Sequence, residues 1–217
     1  LKELKINTWV GEPTNCYIVF DEKTKEAMVI DPAGDVEKII EMLDILDSKL
    51  KYIYLTHCHG DHIGGVEELK ERVGGKILIH RTENENLKNP AVTLNYYIGM
   101  EDTMFEADSR VDEGDLIHIG NIQFKVIHTP GHTNGSSSLY CEEHKMVFTG
   151  DTVFRGTWGR TDLPTGDVKD IMSSIMNKIM ILPEDTIMYS GHGKSTVIKE
   201  EKPIYFELKP RGLYFSE

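Results

Sequence analysis

Four apolar runs in this 217-residue chain each break off at a turn that carries histidine or aspartate. Residues 52–55 lead into Thr-His-Cys-His-Gly-Asp-His, 124–127 into His-Thr-Pro-Gly-His, 146–148 into Thr-Gly-Asp, and 186–189 into Ser-Gly-His. A sheet can bring four such turns together, because in open α/β folds ligand-binding loops gather beyond the carboxyl ends of the strands. The remaining pattern agrees. Residues 4–10, 16–20 and 27–30 read as strands, the last two forming a hairpin across 21–26. Val36, Ile39, Ile40, Leu43 and Leu46 fall at helical spacing behind Asp35, which is placed to cap the helix. Residues 51–55 read as a strand, 65–73 as a helix and 76–79 as a strand. Strands at 116–119, 122–127, 137–141 and 145–148, a helix at 168–181 and a final strand at 186–189 complete the series. Such alternation indicates an α/β fold. Residues 81–111 carry only weak helical patterning, interrupted by Pro90, and their aromatics Tyr96, Tyr97 and Phe105 read as packing residues.

Composition narrows the function. Apolar content of 39% and charged content of 28% are globular values, and one compact domain over residues 1–217 is expected. No apolar run is long enough to span a bilayer, and residues 1–10 lack the basic flank and apolar block of a signal peptide. A cytoplasmic protein with no membrane partner is expected. Cys16, Cys58 and Cys141 are too few, and odd in number, for a disulfide framework. A net charge of −12 argues against nucleic acid, since gripping a phosphate backbone calls for a positive surface. A small-molecule substrate remains.

The densest chemistry lies at residues 57–62. On an extended backbone His57 and His59 project to one side and can share an ion, while Cys58 points away. Asp61 and His62 follow across a turn at Gly60 and can face a neighbouring position. So concentrated a set of metal ligands has little structural use. His132, Asp151 and His192 are weaker taken singly, since His132 can be a turn residue bonding its own backbone, Asp151 can cap a local turn and His192 can be a surface histidine flanked by glycines, and they gain weight from their place at strand ends. His80, His118 and His128, in or beside strands, and His144, in a hairpin turn, read as structural or surface histidines. No Ser-His-Asp set competes, and Cys58 reads as a buried bystander thiol. Nitrogen and oxygen ligands without thiolate suit zinc, iron or manganese.

The order His-x-His-x-Asp-His, then His, then Asp, then His resembles the metallo-β-lactamase superfamily across about residues 31–192. The resemblance implies a four-layer αβ/βα sandwich with its site at one edge. It implies that His57, His59 and His132 hold one metal, that Asp61, His62 and His192 hold a second, and that Asp151 bridges them. The lactamases place a cysteine where Asp151 stands, which argues against β-lactam hydrolysis. Phe-Thr-Gly-Asp-Thr-Val-Phe, followed by Gly-Arg-Thr-Asp-Leu-Pro, is most similar to the glyoxalase II group, the hydroxyacylglutathione hydrolases, and to their relatives the persulfide dioxygenases.

The expected cofactors are two transition-metal ions, zinc first, with iron and manganese compatible. Two ions roughly 3.5 to 4 Å apart share a bridging water and lower its pKa. A metal-bound hydroxide would then attack a small thioester of glutathione or another thiol, with Asp61 orienting the water and accepting its proton. Arg160 matches the region where glyoxalase II relatives set a cation against the glutathione carboxylate, a geometry a guanidinium suits; pairing with Asp162 is its structural alternative. Lys194, just after the last histidine, is the second candidate substrate-binding residue. A persulfide dioxygenase with a single iron, and a lactonase, are the alternative readings.

Overall fold

The computed structural model describes residues 1–6, 13–101 and 105–208. The first sheet orders β1 (Lys2–Ile6), β2 (Thr14–Phe20), β3 (Glu26–Ile30), β4 (Lys49–Leu55), β5 (Lys76–His80) and β6 (Ser109–Val111) side by side. Its first three strands run antiparallel and its last four parallel. Parallel neighbours need crossovers, and α1 (Val36–Ile45), α2 (Gly60–Ile63), α3 (Val66–Val73), α4 (Arg81–Asn86) and α5 (Pro90–Thr93) lie along them. The second sheet contains β7 (Leu116–Ile119), β8 (Ile122–His128), β9 (Ser137–Cys141) and β10 (Met146–Gly150). After the small hairpin of β11 (Val153–Phe154) and β12 (Thr157–Trp158) come α6 (Val168–Ser174), β13 (Ile187–Ser190), β14 (Thr196–Val197) and α7 (Ile198–Leu208). The second sheet's order is β14-β13-β10-β9-β8-β7.

Strand alternation explains the layering. Ile18, Val29, Ile53 and Ile77 face one way and pack with Val36, Ile39 and Leu43 of α1 and Leu69 of α3. Their neighbours Tyr17, Met28, Tyr54 and Leu78 face the other way, against Phe124, Val126, Leu139 and Phe148 of the second sheet. The far face of that sheet, with Tyr140, Val147 and Met188, is covered by Ile171 and Met172 of α6 and by Ile198 and Tyr205 of α7. Both faces of each sheet are therefore apolar, as strands buried on two sides require, and the stack is helix, sheet, sheet, helix. This is the expected αβ/βα sandwich. Among the described residues no helix is long and apolar enough to cross a membrane.

Several local expectations need correction. Asp35 does not cap α1 with its side chain; it sits at φ 47° and its carboxylate pairs with Lys38, so the first turn is tied by an ion pair instead. Tyr96 and Tyr97 are 84% and 80% exposed and pack in no core, whereas Phe105 does pack against the first cluster. The helix expected over 168–181 is α6 continued by a π-helical stretch, Ile175–Ile179. Of the strand expected over 4–10, residues 7–10 lie outside those described.

Candidate metal centre

The four turns meet where the two sheets adjoin. His57 lies just beyond β4, His132 beyond β8, Asp151 beyond β10 and His192 beyond β13. Backbone bonds stitch the sheets together at this edge: Ser137 donates to the carbonyl of Thr56 (2.9 Å) and Asn15 to that of Gly191 (2.7 Å). Two glycines make the approach tight enough. Gly150 adopts φ 49° and a Cβ there would collide with the Thr56 side chain, as a Cβ on Gly191 would with Asp151 Oδ1 and the His62 ring.

Three histidine side chains, His57, His59 and His132, offer ring nitrogens within 4.8 Å of one another, and Asp61, His62 and His192 bring a carboxylate oxygen and two ring nitrogens equally close. Asp151 stands between the groups. Its Oδ1 is 3.3 Å from His62 Nε2, and its Oδ2 is 3.5 Å from His192 Nε2 and 3.6 Å from His132 Nε2. Asp31, His57 and His62 are equally close together, but both Asp31 oxygens are already committed. Oδ1 accepts from the Thr56 backbone (2.8 Å), and Oδ2 accepts from Thr56 Oγ1 (2.7 Å) and His62 Nδ1 (2.9 Å).

Outer hydrogen bonds decide which nitrogens face inward. His62 donates Nδ1–H to Asp31, His132 donates to the carbonyl of Arg160 (2.8 Å) and His192 to that of Pro13 (3.2 Å). Thr56 Oγ1, its own proton spent on Asp31, accepts from His57 Nδ1 (3.1 Å). Such partners fix the tautomer and leave the Nε2 lone pairs aimed at the centre. His57 Nε2, His59 Nε2 and Asp151 Oδ1 are buried without any hydrogen-bond partner. Buried polar atoms rarely go unpaired, and a convergent set of neutral imidazoles and carboxylates suits divalent transition metals. The residues present fit such ions.

Electrostatics divides the two groups. Burial, aided by the neighbouring histidines, pushes His57 far below its ordinary pKa and His59 down to about 3. Burial also opposes charge on His62 and His192, yet Asp151 and Asp61 outweigh it and raise both, His62 strongly. Burial would push Asp61 and Asp151 up, but His62 and His192 prevail and hold both carboxylates low, Asp151 far below its usual range.

Of the other sequence candidates, Arg160 and Lys194 line the cavity in front of the centre, together with Arg155. Arg160 is engaged by Asp162 through two 2.7 Å bonds. Cys58 is buried, and burial and Glu83 push its thiol far above its usual pKa, which leaves no thiolate for chemistry. His80 and His128 stack on each other at 4.0 Å, and His118 and His144 are exposed. Sequence reasoning missed two acidic residues behind the site. Asp31 ends β3 in Ile-Asp-Pro, a strand-end aspartate like Asp151, which was the available signal. Glu83 accepts from the backbone N–H of Cys58 (2.9 Å) from α4, and nothing in its local sequence marks it.

The family model of the metallo-beta-lactamase superfamily matches residues 9–192. The chain belongs to that superfamily. Within the superfamily it is similar to hydroxyacylglutathione hydrolase GloC of Haemophilus influenzae, at 35% identity over 190 residues, 87% of this chain and 89% of that protein. Among solved structures it is similar to BLEG-1, a B3 metallo-beta-lactamase, with TM-score 0.85 and 36% identity over 93% of this chain and 96% of that one. It is also similar to ETHE1 from Myxococcus xanthus, with TM-score 0.77 and 30% identity over 94% and 82%. Superfamily membership, with these His and Asp clusters, makes this a metal-binding chain of metallo-hydrolase type.

Proposed function

We propose that the chain hydrolyses small thioesters with two transition-metal ions, zinc in the first instance. His57, His59 and His132 would hold one, Asp61, His62 and His192 would hold the other, and Asp151, placed between the groups, would serve both. The observation that carries this reading is the convergence of two three-residue groups on Asp151 beside a cavity of about 1080 Å³. The likeness to a hydroxyacylglutathione hydrolase supports the thioester. When bound, the ions supply Lewis acidity and an activated water. Asp61 is 3.3 Å from His192 Nε2 and keeps some exposure to the cavity. It orients the attacking water and takes up its proton. The acyl C–S bond breaks as the water oxygen joins the acyl carbon, and the water's proton ends on the departing thiolate.

Arg155, Arg160 and Lys194 give the cavity mouth a cationic side for an acidic thiol such as glutathione. A substrate carboxylate must compete with Asp162 for Arg160. Arg160→Ala is therefore expected to raise KM about tenfold with kcat nearly unchanged, the signature of lost uniform binding. Steady-state kinetics on an S-acyl glutathione, with a neutral thioester that should ignore the change, checks this.

The two proposed metal positions should respond differently to pH. His57 and His59, with lowered pKa values, are already neutral at pH 6, whereas His62 and His192, with raised values, must each release a proton to bind an ion. Lowering pH from 8 to 6 should weaken the second position, the loss steepening toward about tenfold per unit for each proton displaced once pH falls below that histidine's pKa, and leave His57 and His59 contributing no such loss. Metal titrations at three pH values, with proton release read from buffers of different ionisation heat, measure both.

Elemental analysis and thioester turnover test the function as a whole. Two metals per chain with turnover is the expected result. Persistent absence of metal after reconstitution, or a loaded protein inert to thioesters that opens lactones, would overturn it. The likeness to ETHE1 favours one second reading, persulfide dioxygenase chemistry. A single iron and oxygen consumption with glutathione persulfide would establish that instead.

A further inference from the structure

The wall of the cavity contributed by residues 91–98 has no part in holding metal or in the cationic mouth. Its lining residues, Ala91, Leu94, Tyr97 and Ile98, carry no charge, while the cavity's cations come from residues 155–160 and from Lys194. The wall is fixed next to the centre, since Ile98 lies so close to Gly60 that any Cβ there would clash, and Gly60 adjoins His59 and Asp61. Phe154, edge-on to His192 at 6.0 Å, adds an apolar surface beside the second group of ligands.

Two features show that this wall is more than packing. Tyr97 lines the cavity with its ring edge-on to Tyr96 at 5.9 Å and is 80% exposed, so this wall presents aromatic surface to the cleft; concave, mostly apolar clefts are where small ligands bind. Leu94 stands at φ 60°, a left-handed conformation rare for a bulky side chain. Its N–H donates to the carbonyl of Pro90 (3.2 Å) and its own carbonyl accepts from Tyr97 (3.0 Å), so the strained turn is tied on both sides. Strain of this kind persists where surrounding structure enforces it, and it gathers at binding sites.

We infer that residues 91–98 form a recognition wall for an apolar acyl group. Substrates whose acyl half is a short alkyl chain, rather than a hydroxyacyl group, are preferred, with the acidic thiol half turned to Arg155, Arg160 and Lys194. This specificity rests on reading the centre as an acyl hydrolase. A hydroxyl laid against Leu94 and Ile98 loses its hydrogen bonds to water without replacement, whereas each added methylene gains by leaving water.

The test uses carboxylates, the acyl products of such a reaction, so that the thiol does not enter. Acetate, butyrate and hexanoate are titrated calorimetrically into the metal-loaded protein, and into Leu94→Gly and Tyr97→Ser. Glycine takes φ 60° without steric cost, so Leu94→Gly removes the side chain and relieves the strain together; thermal melting monitors the fold. Hexanoate is expected to bind at least about tenfold more tightly than acetate in the wild type, with the ratio falling severalfold in each variant. No gain with chain length, or a full gain kept in both variants, overturns the wall. Turnover of S-hexanoyl and S-lactoyl thioesters of one thiol should favour hexanoyl in the wild type and lose that preference in the variants. Preference for lactoyl would overturn the specificity. If neither thioester turns over while the carboxylate ladder and its loss in the variants hold, the wall stands and the thioester reading fails.

Discussion

Asp151→Ala is expected to strip both metals from the protein, while His192→Ala chiefly empties one position. Asp151 places Oδ1 toward His62 and Oδ2 toward His132 and His192, so its one carboxylate reaches both groups of ligands. Removing an outer partner of a metal ligand costs about 10 to 100-fold in affinity, and loss of a directly shared carboxylate should exceed about 100-fold at each position. His192 serves only the second group and is the more exposed residue, so His57, His59 and His132 keep their geometry without it. Elemental analysis of the two variants beside the wild type decides the matter. Equal retention of both metals in Asp151→Ala would show that the bridging role is wrong, whatever the activity.

Asp31→Ala should be nearly as damaging, though Asp31 is proposed to touch neither metal nor substrate. The substitution leaves the Thr56 backbone, Thr56 Oγ1 and His62 Nδ1 without their acceptor inside the protein. Each buried donor left unsatisfied costs about 1 to 3 kcal/mol, and breaking a buried charged network as a whole costs about 3 to 5 kcal/mol. The metal-free variant should therefore unfold at clearly lower urea than the wild type. His62, no longer fixed in ring orientation, should weaken the second metal position by about 10 to 100-fold. Asp31→Asn separates these effects: an amide keeps one oxygen for Thr56 but cannot accept on both sides, so stability should recover more than metal affinity. Metal affinity equal to wild type in both variants would show that Asp31 has no positioning role.

Much of this protein can be read locally. Strand alternation fixed which of Tyr17, Ile18 and Val19 face which layer, since successive side chains point to opposite faces and both faces had to be buried. The ligand candidates at 57, 59, 61 and 62 were legible because they crowd into one turn, and His132, Asp151 and His192 because each ends an apolar run. The sequence could not order the strands of two separate sheets, and their meeting edge is what brings Asp151 within reach of His62, His132 and His192. Glu83 was invisible for the same reason, and Asp31 showed only its place at a strand end: a buried carboxylate is identified by the donors around it, and those come from elements far along the chain. The segment at 91–98 shows the limit in its sharpest form. Tyr96 and Tyr97 read as core because large aromatic residues usually are, yet the left-handed turn at Leu94 leads into a helical turn that leaves both in solvent. Residue type and spacing gave the α/β class and the ligand candidates, and the family resemblance implied the four layers. Only the tertiary structure decided what stands behind each ligand and in front of the centre, because hydrogen-bond partners and cavity walls are relations between distant segments, which no local pattern encodes.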